Sequence, residues 1–218
     1  SEKPTGQTER EKEPVGNRQA LLIKEDNMER LTGDEHFTYE GSPINRLLND
    51  FWAWQASDLL TNSIRGALAE YIVATALDID GTYRMNDWHE YDLEYRGKKI
   101  EVKSSAYLQS WERDKLSRIS FNIYESRPFT ASVWDNDDIR RHADIYIFCL
   151  FGCKDRAAAN PMLLEQWNFF VVPTHAIDEK LGTQRTVSLS TLGQLPAVKC
   201  TYDELRNAID MIVQEAGE

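Results

Sequence analysis

Four residues carry most of the chemical potential of this chain: Glu70, Asp92, Glu101 and Lys103. Glu70 is the only charged residue between Arg65 and Asp78, in the otherwise small and apolar stretch GALAEYIVATAL. A helix apolar on nearly every side is a buried helix, and a lone carboxylate there is costly unless it is paired or binds a metal. The other three residues fall in DLEYRGKKIEVK, which begins at Asp92 and ends at Lys103. That segment reads as two strands joined by a tight turn.

Gly suits the first central position of a type II′ turn, so Gly97-Lys98 is the expected corner. Glu94 then faces Glu101, and Asp92 faces Lys103. Side chains alternate along a strand, which puts Leu93, Tyr95, Ile100 and Val102 on one face. Asp92, Glu94, Glu101 and Lys103 share the other. Like charges directly across a strand pair repel, and a divalent cation removes that repulsion. Mg²⁺ is commonly held by one or two carboxylates, with water and substrate phosphate completing its shell. Phosphodiester hydrolysis needs this chemistry, and Lys103 stands where it can act on the attacking water or on the developing charge. The alternative is an edge strand with a solvated charged face. For Glu70 the alternative is an ion pair with Arg65 or Arg84.

The pattern resembles the PD-(D/E)XK nuclease superfamily, which has the restriction-endonuclease-like fold. Glu70 matches that family's helix carboxylate, Asp92 its first acid, and Glu101-Val102-Lys103 its Glu-x-Lys element. Tyr91 stands where the name-giving Pro would be. The resemblance covers roughly residues 60–151 and implies an α/β (α+β) protein with an αβββαβ core, its central mixed sheet flanked by helices. It also implies a DNA endonuclease of restriction, defence or repair type. Asp92, Glu101 and Glu70 would hold Mg²⁺, for which Mn²⁺ can substitute. Some branches place a Gln after the Lys, which makes Gln109 a candidate substrate contact; a surface amide is the alternative. Arg113, Lys115 and Arg118 follow, either to meet phosphates or as a solvated loop. Trp111 has the chemistry to stack on a base, although six Trp in a small domain are expected mostly in the core. A homodimer or a DNA-delivering protein is the expected partner. Two other readings stay open: a nuclease-like module that binds without cutting, and the same chemistry on RNA.

These residues need elements to hold them. Residues 1–42 read as a polar arm, with a possible short helix around Leu21–Leu31, and 43–218 as one domain. Phe51, Trp52 and Trp54 mark a helix with a bulky apolar face, and Ser63 is the expected N-cap of the Glu70 helix. Strands are expected over 91–96, 99–105 and 118–124, then a short helix ending near Arg141. The apolar runs 144–151 and 167–172 belong in the middle of a covered sheet. Thr201 and Glu204 form a capping box ahead of a helix over about 202–215.

Bulk composition fits a globular protein: 218 residues, 41% hydrophobic and 28% charged. No apolar run reaches the length of a membrane span, so no membrane partner is expected, and cytoplasmic residence follows by default. Cys149 and Cys153 have no second Cys pair, and His142 and His175 offer no helpful spacing, which argues against zinc. The formal charge of −11 is awkward for an enzyme that must meet phosphates. Either its cations are gathered in one place or a partner delivers the substrate.

Overall fold

The computed structural model describes residues 31–79, 90–112, 114–127 and 138–215. The architecture is the expected α/β one, with a central mixed five-stranded sheet flanked by helices. A hairpin of β1 (His36–Tyr39) and β2 (Ser42–Leu47) leads into α1 (Leu48–Ala56). This hairpin spans residue 42, where the sequence places the end of the polar arm. The short helix expected from Leu21 lies almost wholly outside the described residues, as do residues 128–137, where most of the helix before Arg141 was expected. Arg140 itself makes an isolated β-bridge to Ser126.

Helix α2 (Asn62–Ala76) carries Glu70. Its N-cap is Thr61, with Ser63 already inside the first turn. Arg65, Ala69, Ile72 and Val73 recur at i, i+4, i+7 and i+8 and form the buried stripe. The opposite side is open, with Tyr71 67% exposed, so the helix is buried on one face.

The five-stranded sheet runs β3 (Leu93–Tyr95), β4 (Lys98–Ala106), β6 (Ile145–Phe151), β7 (Trp167–Pro173), β9 (Val198–Cys200). Every residue of β6 is buried, as its unbroken apolar run demanded. It pairs in parallel with β4 and antiparallel with β7. The other face of the sheet packs Phe148 and Tyr146 against Phe121, Ile177 of α3 (Thr174–Leu181) and Leu192 of α4 (Leu189–Leu192). The first face packs Ile100, Val102, Ile147 and Cys149 against α2 and α5 (Tyr202–Glu215). Glu204 accepts the Thr201 backbone N–H at 3.0 Å and starts α5 where expected.

Three further expectations need correction. The corner of the β3–β4 hairpin is Arg96-Gly97, with φ of 50° and 74°, so the turn has the type I′ signature. Leu93 therefore pairs with Ile100 and Glu94 with Lys99, a shift of two residues that keeps every side chain on its expected face. Glu94 does not oppose Glu101. The third strand, β5 (Ser120–Asn122), leaves the central sheet and pairs with β8 (Thr186–Ser188). Among the described tryptophans only Trp167 is core; Trp52, Trp54 and Trp111 are 40%, 81% and 65% exposed.

An L-residue held at positive φ costs roughly 1–2 kcal/mol, and Gly97 avoids that cost. Gly97→Ala is expected to lower unfolding free energy by about 1 kcal/mol, with the loss read from the urea midpoint at unchanged slope.

Candidate active site

The site forms where β4 outruns its outer partner. Pairing with β3 ends at Ile100, and β4 continues as far as Ala106. Asp92 fills the vacant edge. Its backbone N–H donates to the Ile100 carbonyl at 3.0 Å, and its carboxylate Oδ2 accepts the Val102 N–H at 2.7 Å. A side chain thus takes the place of a strand neighbour. Glu101 and Lys103 point away from the α2 face, level with Tyr146 and Phe148 of β6. Lys103 Nζ donates to Glu101 Oε1 in a close ion pair. Asp92, Glu101 and Lys103 are therefore brought together.

The electrostatics follow from that packing. Burial is the main cause that pushes the Asp92 carboxyl up to about 7, and the Glu101 and Glu70 charges push the same way. Lys103 and the Val102 hydrogen bond oppose them. Burial pulls the Lys103 ammonium down, but Glu101 and Asp92 together outweigh it and hold it above its usual value. Glu70 lies buried on α2, close enough for its charge to be felt at Asp92. Glu94 is elsewhere, opposite Lys99 and accepting a hydrogen bond from the Tyr91 hydroxyl at 3.3 Å.

Among the described residues, no group of three or more His, Cys, Asp or Glu side chains is arranged to hold a metal ion. The carboxylates that could offer donors together are Asp92 and Glu101. Two hard carboxylate oxygens suit Mg²⁺, which keeps most of its shell as water and substrate oxygens. The mutual repulsion at Asp92 is also what a divalent cation relieves. The residues present fit such an ion.

Beside Lys103 opens a polar pocket of about 360 Å³ that Arg65, Gln109 and Arg118 also line. Gln109 is buried, its amide donating to the Ala106 carbonyl at 3.0 Å while its oxygen accepts from Arg65 at 3.2 Å. Arg65 also donates to Leu60 O at 2.9 Å and to Asn62 Oδ1 at 2.7 Å. The sequence had offered Arg65 only as a partner for Glu70; its place in the buried stripe of α2 was the overlooked signal. Arg84 and Arg113 lie outside the described residues. Lys115 is exposed and does not line the pocket.

The sequence profile of the bacteriophage T4 endonuclease IV family matches residues 42–191, well over half of the chain. The chain belongs to that family. Glu70, Asp92, Glu101, Lys103 and the whole pocket lie inside the matched segment, while β9 and α5 lie beyond it. Membership makes the chain a nuclease and nucleic acid its substrate class. Comparison with curated proteins and with solved structures gives no match. Among the described residues no helix is long and apolar enough to cross a membrane.

Asp92 gives a pH signature without metal. A carboxyl whose folded pKa is raised from 3.8 to about 7 favours folding fully below the lower value. That advantage is lost as pH rises through the upper one. In EDTA, Asp92→Asn is expected to gain Tm relative to the parent between about pH 4 and pH 7, with a constant gap above. A gap that does not change with pH would mean that Asp92 is not buried as described.

Proposed function

We propose that the chain is a Mg²⁺-dependent DNA endonuclease of the PD-(D/E)XK type. The observation that carries this reading is the convergence of Asp92, Glu101 and Lys103 where β4 runs past β3. The mixed sheet flanked by helices and the endonuclease family support it. The choice of DNA rests on the resemblance to the superfamily.

Asp92 and Glu101 would hold the ion. When bound, Mg²⁺ lowers the pKa of a water and offsets charge on the phosphoryl oxygens. The protein supplies the rest. Lys103, kept as an ammonium by Glu101, orients the attacking water and neutralises charge that develops on the phosphate. Glu70, on the helix packed against β4, holds water beside Asp92 and adds to the negative field that draws a cation in. Val102 fixes the Asp92 carboxylate through its backbone N–H, so the acid is set before any ligand arrives.

The test is cleavage of labelled DNA and RNA with Mg²⁺ or Mn²⁺, alongside calorimetry of metal binding. Lys103→Ala is expected to lose roughly 10²–10⁴-fold in rate with little change in metal affinity. Asp92→Ala should lose both. Glu70→Gln should cut slowly at unchanged Tm, and a collapse of Tm would show that Glu70 is structural instead. Retained cutting by Lys103→Ala would remove its role. Metal-independent binding with no cleavage would establish a non-catalytic module.

A further inference from the structure

The pocket beside Lys103 has chemistry that the hydrolytic residues do not use. Its described walls carry three cations, Arg65, Lys103 and Arg118, and no carboxylate. That is unusual in a chain with a formal charge of −11. The remaining walls are four serines, Asn62, Gln109 and Asn122, all neutral hydrogen-bonding side chains. Among the described residues no aromatic ring lines it, so those walls offer no platform on which a base could stack.

Arg65 is the decisive residue. It is only 4% exposed, and its three hydrogen-bond partners are neutral oxygens, which occupy donors without cancelling its charge. Among the described residues its buried Nε has no partner. A guanidinium has five N–H donors in a fixed fork, and an unsatisfied buried donor is costly. Such a group is stabilised by an oxyanion, which its planar fork matches. Asn62 opens α2, whose first turn has no side-chain cap, so the positive end of the helix reinforces the same preference.

We infer that this pocket is a phosphate subsite, in which Arg65, braced by Gln109 and Asn62, receives the substrate backbone phosphate next to the one cleaved beside Lys103. The inference rests on the nuclease reading above and adds to it a second anchor. With one phosphate on Arg65 and Arg118, the adjacent linkage is drawn toward Lys103, Glu101 and Asp92. The pocket volume of about 360 Å³ exceeds a phosphate alone and leaves room for the attached sugar.

The experiment uses the full chain and an oligonucleotide set, each member with one neutral methylphosphonate linkage at a different position around the mapped cut. One position beside the cut should slow the parent enzyme roughly tenfold to a hundredfold. Arg65→Gln should lose a similar factor on unmodified DNA, yet lose nothing more when that same linkage is neutral. Arg118→Ala, an exposed substitution that leaves the fold alone, should show a smaller version of the same non-additivity. In parallel, binding of the unmodified oligonucleotide is measured in EDTA against salt. Arg65→Gln should reduce the slope by about one released ion. Losses that add at every position, or a salt slope unchanged in both variants, would overturn the subsite. If the parent binds through Arg65 but never cleaves with metal, the nuclease reading fails and the subsite stands. If cleavage proceeds at the parent rate in both variants, the subsite fails and the nuclease reading stands.

Discussion

The structure turns on two carboxylates and an ammonium held at the end of a β-ribbon, where a strand has lost its neighbour. Asp92 and Glu101 repel each other, and burial sharpens the repulsion because less water screens it. The arrangement survives because each partner is tied down by something stronger. Val102 gives Asp92 a backbone hydrogen bond at 2.7 Å, and Lys103 gives Glu101 a counter-charge. Behind them stands β6, buried along its whole length and paired on both sides, which makes β4 a rigid floor. A short β3 is as important as a long β4. Had β3 continued past Leu93 as a regular strand, the Val102 N–H would have met a carbonyl and the Asp92 carboxylate would have had no seat.

The overall acidity of the chain reads differently once the cations are located. A net charge of −11 suggests poor affinity for nucleic acid, but affinity depends on where the charges lie. Arg65, Lys103 and Arg118 line one recess whose described walls carry no carboxylate, directly beside the acidic pair. A recess walled by protein focuses the field of a few charges better than a flat surface does. The acidic residues elsewhere then act against loose binding over the rest of the surface.

Much of this was legible in the sequence, for reasons that can be named. The run IYIFCLF needs no context to be a central strand, and the capping pair Thr201–Glu204 marks the start of α5 by itself. The facing of Glu101 and Lys103 was also readable, because alternation survives a register error of two. The register itself was not. Gly97 suggested a turn beginning at the glycine, whereas Arg96 takes positive φ and shifts the corner by one residue. Its guanidinium meets Asp210 of α5 at 3.0 Å and lies over the Tyr95 ring, contacts that only the folded chain supplies. The partner of β5 lies more than sixty residues away in β8, and no local pattern announces such a pairing. The aromatic face of α1 misled in the opposite sense: Phe51, Trp52 and Trp54 mark a bulky apolar face, and tryptophans were expected mostly in the core, yet each of the three is at least 40% exposed.

Arg65 was missed for a related reason. The sequence offers it only as a partner for Glu70, and its hydrogen bond to Gln109, forty-four positions away, is a contact that only the folded chain supplies. Helix geometry then explains why one element serves both parts of the site. Arg65 and Glu70 are five residues apart, which separates them by about 7.5 Å along the axis and roughly 140° around it. The cation and the carboxylate therefore leave α2 in different directions, one into the polar pocket and one toward Asp92. On the same side of the helix Ala69, Ile72 and Val73 press it onto β4 with almost no exposed surface. Close packing transmits small displacements instead of absorbing them. The distance between a phosphate held by Arg65 and the acids on the ribbon is thus fixed by three apolar side chains that take no part in the chemistry.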